Sequence, residues 1–316
     1  MPKHTKSLLL TLVLFSIGTS LYADEEPEEI PPLLREGEWI PEPPEQGYPF
    51  RVEAIYRGVG SAKFTEGSRH LSSMRYADSL DTLSFSHPIA DCHYLTWQVG
   101  YSYLKLDWDK NPRFRQESFN YAMGSVTWAA QAIENWRFLF NLTASVDGRR
   151  LNFGNSGVYN GMGWARYTYS DCLHFHLGFF GYVGVKNHYV LPIAGLDWSW
   201  QKWKLNAIFP LDFSLTYAID CNWSAAVAFA AFGGPYRFPR RAGKGIGDFK
   251  NAIFEVYSKG VELDLTYQLK PRFSVGLGAG WNFGGWILIK DAHNHHGKYF
   301  KFDSAPYAQA NASFSF

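Results

Sequence analysis

Apolar and polar residues alternate from Phe50 to the end of the chain, with the period of two that is typical of a β-strand. In one segment, Trp136 and Phe138 fall on one face while Arg137 and Asn141 fall on the other. A helix would scatter these residues around its circumference, whereas a strand separates them onto two faces. The pattern therefore predicts an all-β fold. The clearest alternating segments are residues 95–103, 136–147, 212–220 and 261–270.

Short polar turns separate the predicted strands at one end, and longer tips rich in Gly, Asn or charge separate them at the other. This asymmetry, with an aromatic residue soon after each turn, is typical of an outer-membrane barrel. Six turns imply about 14 antiparallel strands, with a range of 12 to 16, in an up-and-down transmembrane β-barrel. Residues 251–269 must then form one strand, and residues 202–220 form the tightest hairpin. The turns are 90–93, 133–135, 170–172, 200–202, 219–222 and 269–272, and the longer tips are 107–116, 147–157, 233–250 and 284–300.

Two segments before residue 50 differ from the barrel pattern. Residues 1–23 have a positive start, an apolar run of about ten residues and small residues before Asp24, which predicts a cleavable secretory signal peptide. Residues 24–49 are acidic and rich in Pro, so they cannot bury enough apolar area to fold alone. We expect this second segment to be a periplasmic spacer, with a plug inside the lumen or a contact with another envelope component as alternatives.

The last strand carries an assembly signal. Phe314 and Phe316 alternate with Ser313 and Ser315, and the chain ends on an aromatic residue. This resembles the C-terminal signal that the barrel-assembly machinery of bacterial outer membranes recognises, and an edge strand is a ready template for strand addition. We therefore expect the barrel, residues 50–316, in a bacterial outer membrane, with outer-membrane lipid and the assembly machinery as partners.

Composition agrees with a lipid-facing barrel wall. Aromatic residues make up 18% of the chain and charged residues only 19%, below the roughly 25% charged residues of soluble domains. A net charge of +1 favours neither nucleic acid nor an acidic substrate. Three cysteines, Cys92, Cys172 and Cys221, leave at least one free thiol if two of them form a disulfide.

Polar positions that alternate with the apolar ones are expected to line the lumen. Both charge signs occur, so the interior is either a hydrated pore or a closed network of ion pairs. Fourteen strands leave more room than eight, which predicts a water-filled channel unless a plug fills it. The working hypothesis is a passive pore for small solutes, with no cofactor. The lumen candidates are Arg137, Asn141, Arg166, His174, His176, Lys204, Asp212, Glu262, Asp264, Gln268 and Asn311.

Other functions remain open at this stage. A structural or adhesin-type barrel would act through its extracellular tips, and an outer-membrane lipid-modifying enzyme would need a Ser or His nucleophile–base pair on adjacent strands. A soluble β-sandwich would need a second sheet to cover its exposed aromatics. No motif marks an enzyme, so none is expected.

Three groups of polar residues invite a binding function, but each is better explained without one. His174 and His176 share one strand face, and two imidazoles are too few for a zinc site. The histidine-rich segment 291–296 resembles a surface metal site, although a solvated tip explains it equally. A basic tip is suited to anionic lipid phosphates or to an ordinary charged surface. Its members are Arg237, Arg240, Arg241 and Lys244.

The chain from about residue 190 to its end resembles an uncharacterised family of predicted bacterial outer-membrane β-barrels. The residues that carry the resemblance are 191–196, 203–205, Phe209-Pro210, Tyr217 and 233–237. The resemblance implies a signal peptide followed by a single barrel. It implies no activity.

Overall fold

The strands form where the period-two pattern places them. The computed structural model describes residues 48–316 except for 113, 150, 185–187, 239–241, 244–248, 270–271, 294 and 296. The predicted signal peptide and nearly all of the acidic segment lie outside the described residues. Among the described residues, no helix has the length and apolar character needed to cross a membrane.

In the described residues, fifteen strand segments form one antiparallel sheet that closes on itself. Each segment from β1 to β13 pairs with the next, β13 also pairs with β15, and β1 pairs with both β14 and β15 to close the ring. Because β14 and β15 both lie between β13 and β1, they form two parts of one crossing. The all-β fold with 14 antiparallel strands is therefore confirmed. The segments are β1 (Phe50–Glu66), β2 (Arg69–Ala90), β3 (His93–Trp108), β4 (Ser118–Ile133), β5 (Trp136–Asp147), β6 (Val158–Ser170), β7 (Leu173–Val183), β8 (His188–Trp200), β9 (Trp203–Phe209), β10 (Asp212–Ala218), β11 (Trp223–Arg237), β12 (Ile253–Leu269), β13 (Phe273–Lys290), β14 (Lys298–Phe302) and β15 (Ala305–Ser315), with one short helix, α1 (Phe153–Ser156).

The closing seam ends on the last residue of the chain. The backbone N–H of Phe50 donates to the Phe316 carbonyl at 3.0 Å, and the N–H of Phe316 donates back to Phe50 at 2.9 Å. The two rings stack with centroids 5.5 Å apart. Phe314 and Phe316 are both about half exposed on the outer face. The two residues of the predicted assembly signal thus lie at the rim, on the strand that closes the barrel.

Two predicted tips were wrong in extent. Residues 233–250 and 284–300 were expected to be loops, but β11 continues to Arg237 and β13 to Lys290. Because these strands extend beyond the apolar part of the wall, their ends contain glycine and charged residues. That composition led to the prediction of loops. Gly284, with φ of 92°, permits a bulge at which the β12–β13 register shifts between the pairs Ser258↔Gly285 and Gly260↔Asn282.

The end of the β11–β12 hairpin lies inside the barrel. All six residues of Ile253–Ser258 are buried, on both faces of the strand, whereas an ordinary strand of the wall buries only one of its two faces. On one face, Tyr236 contacts Phe119 of β4, with ring centroids 5.3 Å apart. On the other face, Glu255 lies near enough to Tyr182 of β7 to interact with it electrostatically. We call residues 233–237 and 253–258 the inserted hairpin.

Candidate functional site: the barrel lumen

Strand pairing defines which residues face the interior, because directly paired residues lie on the same face of a sheet. Following the pairs from strand to strand around the ring places every lumen candidate on a single face. For example, Arg137 pairs with Arg166, and Arg166 pairs with His176. Lys204 pairs with Thr216, and Asp264 with Gly278. The opposite face carries the exposed apolar side chains, so the polar face is the inner one.

One end of the lumen is filled by aromatic side chains. Phe119 stacks on Phe254 with centroids 4.4 Å apart, and Phe64 stacks on Phe300 at 5.2 Å. Trp108 packs against Phe64 at 4.8 Å. All of them are buried at 9% exposure or less. We call this cluster the aromatic plug, and its members are Phe64, Trp108, Phe114, Phe119, Phe238, Phe254 and Phe300.

Two tips complete the plug. Phe114 and Phe238 come from the tips between β3 and β4 and between β11 and β12. The backbone N–H of Arg115 donates to the carbonyl of Ala242 at 3.0 Å, which joins the two tips. Residues 24–49, which the sequence suggested as an alternative plug, lie almost entirely outside the described residues. The aromatic plug is built from the wall and its own tips. In the sequence, its signal is the apolar inward positions of β1, β3 and β12.

Below the plug, the first of two polar clusters contains a buried arginine. The Arg57 guanidinium donates to Gln309 Oε1 at 2.9 and 3.2 Å, and the Gln309 amide donates to Asp264 Oδ1 at 3.1 Å. The Tyr307 hydroxyl donates to Glu262 Oε2 at 2.9 Å. A cation beside two carboxylates offsets the cost of burying them, which isolated charges would not allow. We call these five residues the Arg57 cluster.

The second polar cluster surrounds Asp197 on β8. His176 Nε2 lies 2.9 Å from Asp197 Oδ2, and Arg166 Nε lies 3.6 Å from the same oxygen. His174 Nε2 lies 3.7 Å from Asp197 Oδ1. Trp164 stacks on the His176 ring with centroids 5.2 Å apart. In the strand order these β6–β8 residues lie across the lumen from the Arg57 cluster. Sequence reasoning identified both histidines and Arg166 but missed Asp197.

The remaining candidates divide between the two clusters and other parts of the wall. Asn141 donates to Ser125 Oγ at 2.8 Å and to Thr127 Oγ1 at 2.7 Å, forming a small hydroxyl–amide network. Gln268 pairs with Ser274, and Asn311 with Gly276, near the end of the short turns. Asp212 begins β10, directly after the tight turn.

The basic tip is only partly described. Arg237 ends β11, where Nη1 donates to the carbonyl of Asn251 at 2.8 Å, so it belongs to the inserted hairpin and not to a loop as expected. Arg240, Arg241 and Lys244 lie outside the described residues.

Neither metal hypothesis gains support from the geometry. Asp291 accepts backbone N–H groups from His295 at 2.7 Å and His293 at 2.9 Å. These hydrogen bonds hold the pKa of the Asp291 carboxyl below its usual range, so its charge organises a turn. Across the described residues, no group of three or more His, Cys, Asp or Glu side chains is arranged to hold a metal ion.

The cysteines lie at the end of the barrel with the short turns. Cys92, Cys172 and Cys221 occupy three different turns, and all three are exposed and unpaired. The turn of Cys221 is organised by Asp220, which accepts the backbone N–H groups of Asn222 and Trp223, both at 2.8 Å. These bonds hold the pKa of the Asp220 carboxyl below its usual range.

Comparisons with known proteins give relatives without an assigned activity. An uncharacterised protein of Chlamydia trachomatis serovar D is 23% identical to this chain, over 99% of the chain and 98% of the relative. An uncharacterised protein of Chlamydia pneumoniae is 24% identical, over 85% and 87%. No family model matches the chain. The relatives therefore agree with the expectation of an uncharacterised group of proteins.

Solved structures with some similarity are outer-membrane proteins. An outer-membrane channel from Pseudomonas putida F1 aligns with 90% of this chain and 100% of its own, at 7% identity and a TM-score of 0.48. The KdgM porin aligns over 84% and 99%, at 9% identity and 0.35. LpxR from Salmonella typhimurium aligns over 84% and 100%, at 10% identity and 0.35. Because these scores are low, the barrel rests on the strand pairing of this chain itself.

Proposed function

We propose that the protein is an exported outer-membrane channel for small polar solutes, with one mouth constricted by the aromatic plug. The observation that carries the proposal is the separation of faces: apolar side chains outside, and polar and charged side chains around an enclosed lumen. The predicted signal peptide and the predicted C-terminal assembly signal support a location in the outer membrane.

The outer face supports residence in a bilayer. Leucines on opposite parts of the wall are strongly exposed, including Leu142 at 63% and Leu263 at 64%. A soluble protein rarely exposes apolar residues around its whole circumference. Near the short turns, Trp203 pairs with Tyr217 and Trp223 pairs with Tyr267. Such rings of aromatic residues mark the boundary between hydrocarbon and headgroups in outer-membrane barrels.

The lumen supports passage of a solute through its lower half and restriction at the plug. The polar clusters line the part nearer the short turns, where side chains such as Arg166 remain partly exposed. The plug narrows the cross-section at the other end with rings in contact. A narrow path past such a plug passes only small solutes and conducts little current. Mixed charges in the two clusters predict weak selectivity between cations and anions.

Conductance of single molecules in planar bilayers tests this proposal. We expect small current steps from the unmodified protein and larger steps from a Phe119→Ala, Phe254→Ala variant, because two stacked rings leave the mouth. A matched Phe140→Ala variant changes a ring on the outer face and should keep the original step size. If none of the three proteins gives current steps at any voltage, the channel proposal fails.

Thiol labelling tests the location and the orientation. Since all three cysteines lie on the short-turn rim, a barrel with that rim in the periplasm should react with a membrane-impermeant maleimide only after the outer membrane is opened. A Ser68→Cys variant places a thiol on the opposite rim and should react in intact cells. Labelling of the native cysteines in intact cells would contradict the orientation.

A structural barrel is the second candidate, and the filled mouth favours it. In that case neither the unmodified protein nor the plug variant conducts. The enzyme alternative has less support. Thr168, His174 and Asp197 lie in a row, but the His174–Asp197 distance of 3.7 Å is too long for a hydrogen bond that orients a general base.

A further inference from the structure

The barrel wall has a gap above its shortest hairpin. The β8–β9 pairing ends at Ala194↔Phe209, and the β10–β11 pairing ends at Ser214↔Ala228. Among the described residues, 188–193 of β8 and 229–235 of β11 therefore have no strand partner on the sides that face each other. We call the space between these two edges the notch. Its floor is the turn at 210–211.

The notch lies at the depth of the hydrocarbon in a membrane-spanning barrel. Strands β9 and β10 have seven residues each, whereas a tilted strand needs about 9–11 residues to cross the hydrocarbon core. Their turn therefore ends two to four residues short of one interface. The turn sequence is also largely apolar: Phe209 and Phe213 are 48% and 44% exposed, and of the three residues between them, Pro210 and Leu211 are apolar and Asp212 is charged. Tips elsewhere in the barrel, such as Gly67-Ser68, are polar and therefore compatible with exposure to water.

An open edge toward lipid needs a physical explanation, because unpaired backbone groups in hydrocarbon cost several kcal/mol each. Such edges are tolerated where they adjoin protein or a cavity. The inserted hairpin provides the reason here: the upper part of β11 leaves the wall and enters the lumen. The two edges therefore adjoin the inserted hairpin, whose Glu255 lies near Tyr189 of β8, and they are not exposed edges of a flat sheet.

A cavity adjoins the notch on the inner side. Its volume is about 150 Å³, and Gly233, Gly234, Pro235 and Tyr236 of β11 form part of its lining. The lining also includes Phe180, whose strand partner Leu191 lies on the unpaired part of β8. The β11 edge of the notch thus lines this cavity, and the β8 edge lies one strand away from it, beside Phe180.

The cavity lining is amphipathic and of a defined size. Met123, Met162 and Phe180 contribute apolar surface, while Asn141 and Asn160 contribute amides. The buried Oδ1 of Asn160 accepts no hydrogen bond from the described residues, so it is available to a hydroxyl donor. A cavity of roughly 150 Å³ accommodates a molecule of about the size of benzene.

We propose that the notch is a lateral portal through which a small amphipathic ring compound of the phenol class moves between the surrounding lipid and the lumenal cavity. The ring packs against the methionines and Phe180, and its hydroxyl donates to Asn160. This proposal rests on the membrane-spanning barrel proposed above and names a solute class for it. The portal is a second route into the lumen, and it is independent of the axial path past the plug.

Equilibrium dialysis of 4-bromophenol against the full-length protein in lipid nanodiscs tests the site. We expect saturable binding of about one equivalent per barrel above empty nanodiscs, and an affinity loss of about tenfold or more in Gly234→Leu. A Cβ at Gly234 meets no atom within 4 Å, so the new side chain enters the cavity without a clash. Gly124→Leu is the matched control, because its Cβ is equally free but lies on the lipid face.

Binding kinetics test the route. Lengthening the β9–β10 hairpin by two Thr-Val cross-strand pairs, inserted between Phe209 and Pro210 and between Leu211 and Asp212, fills the notch without touching the cavity. We expect association and dissociation to slow together by about tenfold or more, with unchanged affinity. The same insertion at the Gly67-Ser68 tip should change neither rate. Folding of each variant is checked by resistance of the unheated barrel to sodium dodecyl sulfate.

The outcomes separate this proposal from the channel. Absence of saturable binding overturns the site, and unchanged rates in the lengthened hairpin overturn the portal in favour of entry along the lumen. Binding that survives in Gly234→Leu places the ligand elsewhere and also overturns it. If bilayer currents are absent while binding and the kinetic effect persist, the axial channel fails and the portal stands.

Discussion

The barrel has a tall side and a short side, and the two are stabilised differently. Strands of the tall side, from β11 through the closing seam to β4, have 15 to 22 residues, apart from the two segments of the last crossing. Strands of the short side, β5 to β10, have 7 to 13. The tall side folds over itself and buries the aromatic plug. The short side ends near the apolar band and contains the notch.

This difference shows that one barrel can contain both a protein-like core and a lipid-dependent wall. In the proposed membrane location, the part of the tall side above the bilayer has no lipid to cover its apolar residues. Phe254 and Phe300 pack within the lumen instead, Phe254 on Phe119 and Phe300 on Phe64. The short side keeps its apolar residues outward, as Leu177 and Val190 show by their exposure. In the proposed location it depends on lipid outside and on the polar cluster around Asp197 inside.

The largest expected effect is on the plug. Phe119→Ala removes a ring that is 2% exposed and stacked on Phe254, and the cavity should cost about 3–5 kcal/mol of unfolding free energy. Phe140→Ala removes a ring that is half exposed on the short side, where lipid can fill the space, and should cost less than about 1.5 kcal/mol. Urea unfolding in lipid vesicles measures both.

Equal losses in the two variants would contradict the distinction between a packed tall side and a lipid-covered short side. A loss at Phe140 larger than that at Phe119 would indicate that the outer face packs against protein, as in a soluble sandwich or an oligomer.

The second effect concerns the buried cation at the seam. Arg57→Met removes the guanidinium next to Gln309 and leaves Glu262 and Asp264 without their neighbouring cation, which should cost about 3 kcal/mol. Arg75→Met is the matched control on β2. Arg75 is exposed and forms an ion pair with Asp107 at 3.0 Å, so its loss should be within about 1 kcal/mol.

Refolding yield and urea unfolding of both arginine variants provide the measurement. If Arg57→Met is as stable as the unmodified protein, the Arg57 cluster is not needed to close the ring. Its charges would then belong to the solute path alone, and a change in ion selectivity without a change in stability would show this.

A third, smaller effect is expected on the short side. Asp197→Asn keeps the size of the side chain but removes the charge that pairs with His176 and Arg166. Its neighbour Arg166 is 28% exposed, so solvent screening should limit the loss to about 1–2 kcal/mol. Ser199→Ala, on the same strand and the same face, is the control. A loss at Asp197 as large as at Arg57 would mean that the two polar clusters contribute equally to stability.

Most of the fold could be predicted from the sequence, because strands and turns are determined by residues that are neighbours in the chain. The alternation of Trp136 with Arg137 and the polar turn at Asp171-Cys172 each require only neighbouring residues to be interpreted. That residues 253–269 form a single strand follows from the number of predicted turns. The extension of β11 and β13 into regions predicted as loops was missed, because a strand above the membrane loses the apolar outward positions that identify it.

The interior could be predicted only in part. Period two placed His174, His176 and Glu262 on the face that the pairing also gives them. The plug and the notch depend on register across strands far apart in sequence, such as Phe119 beside Phe254, and on the unequal lengths of β8 and β9. No local pattern encodes either property. Asp197 was missed because its partners come from two other strands.

The smallest expected effect separates the two ends of the seam itself. Lys298 Nζ lies 3.0 Å from Glu66 Oε1 between β14 and β1, and both side chains are 37% exposed. Solvent screening should reduce their coupling to about 0.2–1 kcal/mol in a double-mutant cycle of Lys298→Met and Glu66→Gln. Raising the salt concentration should remove most of that coupling, because exposed charges are screened. The Arg57–Gln309 cycle, lower on the same seam, should give a larger coupling that salt does not change. Two couplings of equal size would mean that the seam is held uniformly along its length, and that the tall side gains its stability from the wall and not from the buried interior.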